Sequence, residues 1–343
     1  MSKPIAIDLF SGCGGLTLGL KQAGFRVIGA VEIDPLAAET YKANHKRVKL
    51  WETDISKLTG AEVKRQLKLT AGQLDLLAGC PPCQGFSTMT TLNGRHSMND
   101  SRNDLVFQFL RFVRALKPKT VMLENVPGLS RDWRIARVVK VLEAMDYKVT
   151  SGVLDAADYG VPQRRRRFIL LAGMNNAIQF GSPTKRRRTV REAFQKLGRR
   201  SKTDTLHNLP EMHGEKVMSL IRLIPRDGGS RLDLGKKHQL DCHLRCNGFK
   251  DVYGRMAWDS VSPTITGGCC NPSRGRFLHP TKHRGITLRE AALLQSFPPD
   301  YIFSLRRGKL PIAQMIGNAL PPEFIRRHAK EVIRVATIVN AAK

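Results

Sequence analysis

The chain has 343 residues, of which 41% are apolar, and its 57 lysines and arginines against 29 acidic residues give a formal net charge of +28. This length and apolar content suit one large domain or two unequal domains and exclude a disordered tail protein. The positive charge indicates a polyanionic partner and favours nucleic acid over an acidic membrane surface. No apolar run is long enough to span a membrane, and the first residues lack the pattern of a secretory signal.

Short apolar strands alternate with helical patterns through the first half of the chain. PIAIDLF predicts a strand, LTLGLKQAGF a helix that ends near Gly24, VIGAVEID a second strand and LAAETYKANH a second helix. Further strands are predicted at 74–79, 120–126 and 167–173, with a helix in DLVFQFLRFVRALKP that ends before Pro118. Such alternation predicts an α/β fold with a mostly parallel sheet and helices on both faces.

The alternation stops after about residue 181, where glycine, proline, arginine and lysine become frequent and periodicity is weak. Helical patterning returns in LREAALLQSF and again at 323–336. We therefore predict a main domain made of residues 1–180 and 286–343, with a smaller, irregular domain of residues 181–285 between its two segments.

A glycine-rich turn follows the first predicted strand, at Gly12, Gly14 and Gly15. At this position in an open parallel sheet, glycines allow a nucleotide-like ligand to approach the backbone. Glu32 ends the second strand, where a carboxylate can accept hydrogen bonds from ribose hydroxyls. The G-x-G-G spacing fits S-adenosylmethionine or a nicotinamide cofactor, and it also fits a tight turn that binds nothing.

Seven cysteines, an odd number, indicate free thiols in a reducing compartment rather than a disulfide framework. Cys83, in the segment AGCPPCQGFS, comes directly after a buried strand, so it is a candidate nucleophile at the carboxyl end of the sheet. Cys80 makes a C-x-x-C with it, which also permits a redox pair, or a zinc site completed by Cys242 and Cys246. We expect Cys80 to be a small buried filler.

Two further motifs carry charged groups next to predicted strands. Glu124 ends the strand TVMLENV, where a buried acid can keep its proton, although it could equally be a structural or helix-capping acid. The arginine run 164–167 precedes another strand, and strand alternation would turn Arg165 and Arg167 to one face. The alternative for this run is a solvated basic turn.

Six segments resemble, in order, the motifs of the DNA cytosine-5 methyltransferase family: DLFSGCGGLTLGL, PPCQGFS, ENVPGL, PQRRRRF, LREAALLQSFP and QMIGNALPP. Together they cover nearly the whole chain apart from about 181–285. The resemblance implies a Rossmann-like catalytic domain that binds S-adenosylmethionine and methylates carbon 5 of a flipped cytosine. In this chemistry a thiolate adds to carbon 6, so that carbon 5 can attack a methylsulfonium, while an acid contacts ring nitrogen 3.

The resemblance also implies a role for individual residues. Cys83 would attack carbon 6, Glu124 would contact nitrogen 3, and Arg165 and Arg167 would hold the flipped base and a nearby phosphate. The implied cofactor-binding residues are Phe10, Gly12, Gly14, Gly15, Leu16, Glu32, Ile33, Asp54, Ile55, Pro82, Leu105 and Asn318. Among them, Glu32 would bind ribose, Asp54 and Ile55 would meet the adenine, and Ile33 replaces an aromatic residue found in some members.

Residues 181–285 resemble the family's target-recognition region, which implies contacts with phosphates and with the major groove. The predicted DNA-binding residues are Gln163, Arg165, Arg255, Thr264 and Gly267. Residues 87–103 form a polar stretch that would close over the flipped base as a lid, or else an ordinary surface loop. No metal is predicted, because the later cysteines are irregularly spaced.

The resemblance implies double-stranded DNA as the partner. It also implies a second partner, a cognate restriction endonuclease that acts on the same DNA site. It also implies a monomeric bacterial enzyme that is cytoplasmic and nucleoid-associated, without a membrane partner. Three alternatives stay open: an RNA (tRNA) cytosine-5 methyltransferase, a non-catalytic DNA-binding relative, and a nicotinamide-dependent oxidoreductase. The last lacks an evident hydride-transfer site and does not explain the charge.

Overall fold

The computed structural model describes residues 3–82, 104–211, 213–239 and 250–341. Seven strands form one sheet in the order β3-β2-β1-β4-β5-β7-β6. They are β1 Ile5–Leu9, β2 Arg26–Glu32, β3 Lys49–Glu52, β4 Leu76–Gly79, β5 Thr120–Asn125, β6 Tyr147–Asp155 and β7 Arg166–Met174. Strands β1 to β5 pair in parallel, and β7 runs antiparallel to β5 and β6. The predicted α/β fold with a mostly parallel sheet is confirmed.

The helices lie between and after these strands. They are α1 Gly15–Ala23, α2 Pro35–Asn44, α3 Gly60–Leu67, α4 Leu105–Leu116, α5 Trp133–Glu143, α6 Val190–Gln195, α7 Glu215–Leu223, α8 Leu288–Leu294, α9 Lys309–Asn318 and α10 Pro322–Ala341. Short 3-10 helices occur at Ile55–Lys57, Pro127–Arg131, Ala156–Tyr159, Gly198–Lys202, Arg231–Leu234, Lys236–His238 and Pro272–Arg274. Among the described residues, no helix combines the length and the apolar content needed to cross a membrane.

Local sequence explains why these elements begin and end where they do. Helix α2 begins where the Asp34 carboxylate accepts from the backbone N–H groups of Leu36 and Ala37. Helix α4 buries its apolar stripe against the sheet and ends at Lys117, which adopts a left-handed conformation just before Pro118. Strands β4 and β5 are buried along their whole length, as expected of central parallel strands with helices on both faces.

The chain divides into two compact units. The sheet unit comprises Met1–Tyr159, Arg166–Pro183 and Leu320–Lys343, and the loop-rich unit comprises Gly160–Arg165 and Thr184–Ala319. This division differs from the predicted boundaries, because 160–165 and 286–319 group with the loop-rich unit, and the predicted domain boundaries stay a prediction. The physical reason is the packing of α8 on α6 and α9, together with hydrogen bonds from Gln163 to the end of α8.

Candidate active site

The carboxyl ends of three neighbouring strands, β1, β4 and β5, bring ionisable side chains into one row. Asp8 lies in β1, Cys80 directly follows β4, and Glu124 lies in β5. Gly79 pairs with Leu123 in the parallel register of β4 and β5, so the next residues along, Cys80 and Glu124, become neighbours. Ligands of open parallel sheets bind at this edge, which makes it the candidate active site.

Glu124 is the best-defined group of this site. Its side chain is buried, and its Oε1 lies 2.9 Å from Nε of Arg167 on β7. Its Oε2 accepts a hydrogen bond from the Cys80 thiol, with 2.7 Å between Sγ and Oε2. The carboxylate is therefore held on both oxygens, by a cation from one neighbouring strand and a neutral donor from the other. Breaking such a buried ion pair typically costs about 3–5 kcal/mol.

Cys80 was expected to be a small residue that only fills space in the core, but its thiol contacts Glu124 in the site. Burial raises the pKa of its thiol well above the usual value of 9, and the negative charge of Glu124 raises it further. The thiol is therefore protonated at neutral pH and acts as a hydrogen-bond donor. The C-x-x-C spacing singled out this residue, but only the pairing of β4 with β5 identifies its partner.

Cys83 and the stretch 87–103 lie outside the described residues, so the nucleophile and the lid stay predictions. The chain can be followed up to Pro82, which is exposed, and to the buried Pro81 before it. The Asn125 side-chain amide donates to the Pro81 carbonyl oxygen at 2.8 Å. This bond ties the segment that leads to Cys83 to the end of β5, one residue after Glu124.

Arg165 and Arg167, which were predicted to share one face, belong to different units. Arg165 belongs to the loop-rich unit, where its buried guanidinium donates to the carbonyl oxygens of Ile265 at 3.1 Å and Gly317 at 2.8 Å. Because the strand β7 begins only at Arg166, the predicted alternation does not extend back to Arg165. The Arg165 side chain is buried, and both its catalytic role and its contact with DNA stay predictions.

Gln163 and Arg255 were predicted to contact DNA, and the structure buries both side chains completely. Their contacts with DNA stay predictions. The Gln163 side chain donates to Oε1 of Gln295 at 2.9 Å and accepts from the backbone N–H of Ile265 at 2.7 Å. The Arg255 guanidinium is used entirely inside the loop-rich unit, on the carbonyl oxygens of Ile221, Ile224, His279 and Lys282. Both side chains stabilise loops.

Thr264 and Gly267 lie on the segment that Gln163 and Arg165 hold in place. The Thr264 hydroxyl donates to the carbonyl oxygen of Arg164 at 2.7 Å, and both predicted residues are partly exposed. A side chain at Gly267 would approach the Cα of Gln314 to 3.2 Å, so this glycine permits close packing. Contacts of Thr264 and Gly267 with DNA stay predictions.

The glycine-rich turn and Glu32 form one structure at the ends of β1 and β2. Glu32 accepts from the backbone N–H of Gly12 at 2.6 Å through Oε2, and from those of Ile33 and Asp34 through Oε1. Gly12 has a φ of +55° and Gly14 a φ of +93°, a conformation that strongly favours glycine, and no atom lies within 4 Å of a Cβ built on Gly12. The turn thus offers open space beside an acceptor-rich carboxylate, as a ribose-bearing cofactor requires.

Asp8, which the sequence reading missed, lies in the strand that leads to this turn. Its Oδ2 accepts from the Thr17 hydroxyl at 2.7 Å, whereas its buried Oδ1 has no hydrogen-bond partner among the described residues. Burial raises its pKa to about 7. The signal was an acidic residue inside the otherwise apolar strand IAIDL, since such a residue needs a compensating partner. An unpartnered buried acceptor beside the turn fits a ligand that brings a donor.

The other predicted cofactor residues are distributed over both units. Ile33 is 65% exposed at the end of β2, which leaves its side chain available for an apolar contact. Asp54 caps the 3-10 helix Ile55–Lys57, and hydrogen bonds from Ser56 lower its pKa, whereas the Ile55 side chain is buried in the core. In the sheet unit, Phe10 and Leu105 are partly buried and Leu16 is buried, and the exposed Asn318 ends α9 in the loop-rich unit. Their contacts with a cofactor stay predictions.

The candidate metal ligands do not assemble in the part of the chain that the structure describes. No group of three or more histidine, cysteine or acidic side chains with metal-binding geometry occurs there. Cys242 and Cys246 lie outside the described residues. Cys269 and Cys270 are buried free thiols, and burial raises the pKa of Cys269 to about 12.

Comparison with known proteins agrees with this geometry. The sequence profile of the C-5 cytosine-specific DNA methylases matches residues 5–334. The chain is 35% identical to the Type II methylase M.HgiDII of Herpetosiphon aurantiacus, with 96% of this chain and 94% of that protein aligned. It is 32% identical to the Type II methyltransferase M.XorII of Xanthomonas oryzae pv. oryzae, with 97% and 85% aligned.

Solved structures give the same result for the fold. A DNA modification methyltransferase encoded within an E. coli prophage superimposes with a TM-score of 0.75 at 25% sequence identity, covering 97% of this chain and 99% of that one. The S. pombe Dnmt2 methyltransferase superimposes with a TM-score of 0.61 at 20% identity, covering 99% and 100%, which shows a shared fold.

Proposed function

Because the chain belongs to the C-5 cytosine-specific DNA methylase family, we propose that it methylates one cytosine in a specific duplex sequence through a covalent intermediate on Cys83. The observation that carries this proposal is Glu124, buried at the carboxyl edge of the sheet and held by Arg167 and Cys80. A buried carboxyl group of this kind can hold a proton on ring nitrogen 3 of a base.

The proposed steps use the chain's own residues in turn. The Cys83 thiolate adds to carbon 6 of the cytosine while Glu124 donates a hydrogen bond to nitrogen 3, so that electron density moves to carbon 5. After methylation, a water molecule takes the proton from carbon 5, and the electron pair of that C–H bond expels the Cys83 thiolate from carbon 6 and restores the aromatic ring. Arg167 balances the charge of Glu124 when the carboxyl group is ionised. Since Glu124 is buried, the target base has to leave the DNA stack to reach it.

S-adenosylmethionine is the cofactor that this site fits best, and it supplies an electrophilic methyl group when bound. The open turn at Gly12, with Glu32 behind it, would hold the ribose part of the molecule. The unpartnered Oδ1 of Asp8 offers an acceptor near the same turn, and the exposed Ile33 offers an apolar contact for a ring.

Double-stranded DNA is the proposed partner, and the net charge of +28 supports it. The relatives M.HgiDII and M.XorII carry Type II names, so we also propose that this chain protects a site that a cognate restriction endonuclease would cut. Bisulfite sequencing of plasmid DNA from a methylation-deficient host that expresses the chain should show methylated cytosines in one short recurring context.

The covalent step is tested with a duplex that carries 5-fluorocytosine at that site. Fluorine at carbon 5 cannot leave as a proton does, so the intermediate should persist as an adduct that mass spectrometry detects. Peptide mapping should place it on Cys83, and Cys83→Ser should form none. An adduct on Cys80, or none at all on a duplex that is methylated in its unmodified form, would contradict the proposal.

A further inference from the structure

Glu124 can act on a base only if its carboxyl group faces in one direction. A glutamate side chain ends in a broad, weakly restrained torsion, so its carboxyl group turns readily unless both oxygens are held. Arg167 from β7 holds Oε1 at 2.9 Å, and Cys80 after β4 holds Oε2 at 2.7 Å. Strand β5 lies between β4 and β7, so the Arg167 cation and the Cys80 donor approach Glu124 from opposite sides.

We propose that Cys80 is a positioning residue for methyl transfer, whose thiol fixes the orientation of the Glu124 carboxyl group. This inference rests on the role proposed for Glu124. It assigns different tasks to the two cysteines of the C-x-x-C segment, because Cys83 would react with the base and Cys80 would act only through Glu124.

The backbone on both sides of the Cys80 side chain is held by the sheet. The backbone N–H of Cys80 donates to the carbonyl oxygen of Leu9 in β1 at 3.3 Å. The next residue, Pro81, accepts from the Asn125 side chain of β5 at 2.8 Å. Through Cys80 and Pro81 this segment is attached to both strands that flank β4, so the same sheet that carries Glu124 holds the backbone of Cys80 beside it.

The thiol also has the right protonation state for this task. Burial and the nearby Glu124 charge raise its pKa well above 9, so the sulfur keeps the proton that it donates. A thiolate at this place would repel the carboxylate. A neutral donor orients Glu124 without adding a second positive charge to that of Arg167. A second positive charge would favour the ionised carboxyl group still more strongly.

The test compares side chains that keep or remove the donor, in the full chain with an established target duplex. Cys80→Ala should lower kcat roughly 10- to 100-fold, the cost of a misplaced catalytic group, while KM for DNA and for S-adenosylmethionine stays within about threefold. Cys80→Ser, whose hydroxyl can donate to Oε2, should recover most of kcat. A merely structural role would not distinguish alanine from serine at equal thermal stability.

Two results would overturn the inference. One is a Cys80→Ala enzyme with the kcat of the wild type, and the other is a Cys80→Ser enzyme that is as slow as Cys80→Ala. If Cys80→Ala does not fold, Cys80→Val replaces it, because valine fills the volume without offering a donor, and the same outcomes apply.

Glu124→Gln separates this inference from the function on which it rests. If Glu124→Gln methylates as fast as the wild type, the proposed role of Glu124 fails and the inference fails with it. If Glu124→Gln is slow but Cys80→Ala is not, only the inference fails. In single-turnover assays, adding Cys80→Ala to Glu124→Gln should lower the remaining rate by less than about twofold, because both changes act on one group. An undiminished effect of Cys80→Ala in that background would overturn the inference.

Discussion

The two units of this molecule satisfy their buried backbone groups in different ways. In the sheet unit, strand pairing does so, and the strands carry buried acidic side chains near their carboxyl ends, as Asp8 and Glu124 show. In the loop-rich unit, the described residues form only short helices and isolated bridges, and buried arginines donate to the loop carbonyls. Arg255 bonds to four carbonyl oxygens in this way, and Arg276 donates to those of Gly228 and Arg255.

Because some arginines of the loop-rich unit are buried, the number of positively charged residues in the sequence overestimates the positive charge on the surface that DNA can contact. A guanidinium has five N–H donors and suits carbonyl groups that no strand can pair. Arg231 and Arg289 are also buried in the loop-rich unit, and Arg289 donates to the carbonyl oxygen of Tyr301 and to Asp204. Arginines of the sheet unit and of the loop-rich unit should therefore respond differently to substitution.

The largest expected effect is on catalysis and comes from Arg167 in the sheet unit. Arg167→Met removes the cation next to buried Glu124 and should lower kcat at least about 100-fold, the equivalent of roughly 3 kcal/mol. Arg166→Met is the matched control, since that side chain is exposed, and its kcat at saturating DNA should stay within about threefold of the wild type. Equal losses of kcat in Arg167→Met and Arg166→Met would show that the arginine run 164–167 acts through its total charge and not through the contact of Arg167 with Glu124.

The next effect is on stability and comes from Arg255 in the loop-rich unit. Arg255→Met leaves loop carbonyls without their donor and should lower the free energy of unfolding by at least about 3 kcal/mol in urea titrations. Arg255→Lys should recover little, because an ammonium cannot reproduce the planar fork. The exposed Arg274 provides the control, with a change within about 0.5 kcal/mol for Arg274→Met. A stable Arg255→Met protein that binds DNA weakly would instead support the predicted contact of Arg255 with DNA.

The same contrast explains which features the sequence predicted. The fold follows from apolar strands and helical periodicity, and the order of motifs identifies Glu124 and the glycine-rich turn. Strands β3 and β6 were missed because β3 has four residues and both lie at sheet edges with partly exposed side chains. The partner of Cys80 could not be predicted, because it depends on the register between β4 and β5. In the loop-rich unit, periodicity is absent, so the sequence does not show which arginines turn inward.

A third effect should appear in the pH dependence of stability and concerns His328 of α10. This side chain is fully buried, its Nδ1 accepts from the backbone N–H of Gly181 at 3.0 Å, and burial lowers its pKa from 6.5 to about 4. The unfolded chain therefore binds this proton more tightly than the folded one. The neutral His328 side chain therefore contributes fully to stability above pH 6.5. As the pH falls towards 4, the free energy of unfolding should decrease by about 3 kcal/mol through this residue.

His328→Asn isolates this contribution, because the asparagine oxygen can still accept from Gly181. The free energies of unfolding of the wild type and the variant should be measured from pH 7 to pH 4. The difference between them should be smaller at pH 4 than at pH 7 by about 3 kcal/mol. A difference that does not change with pH would mean that His328 does not titrate in this window.

The smallest effect compares glycines of the two units. Gly19 of α1 faces α10, where an added Cβ would lie 2.6 Å from the Ile325 Cβ and 2.6 Å from the Pro322 carbonyl oxygen. Overpacking costs about 1–3 kcal/mol, while alanine gains about 1 kcal/mol in helix propensity. Because the carbonyl oxygen belongs to the backbone and cannot rotate away, the clash should outweigh the gain, and Gly19→Ala should lower the free energy of unfolding by up to about 2 kcal/mol.

Gly214, at the start of α7 in the loop-rich unit, is the matched control for Gly19. No atom lies within 4 Å of a Cβ built there, and its φ of −63° is one that alanine adopts readily. Gly214→Ala should therefore stay within about 1 kcal/mol of the wild type in the same urea titration. Equal losses of stability in Gly19→Ala and Gly214→Ala would contradict this prediction. They would mean that the close packing of α1 on α10 is not the cause of the loss at Gly19.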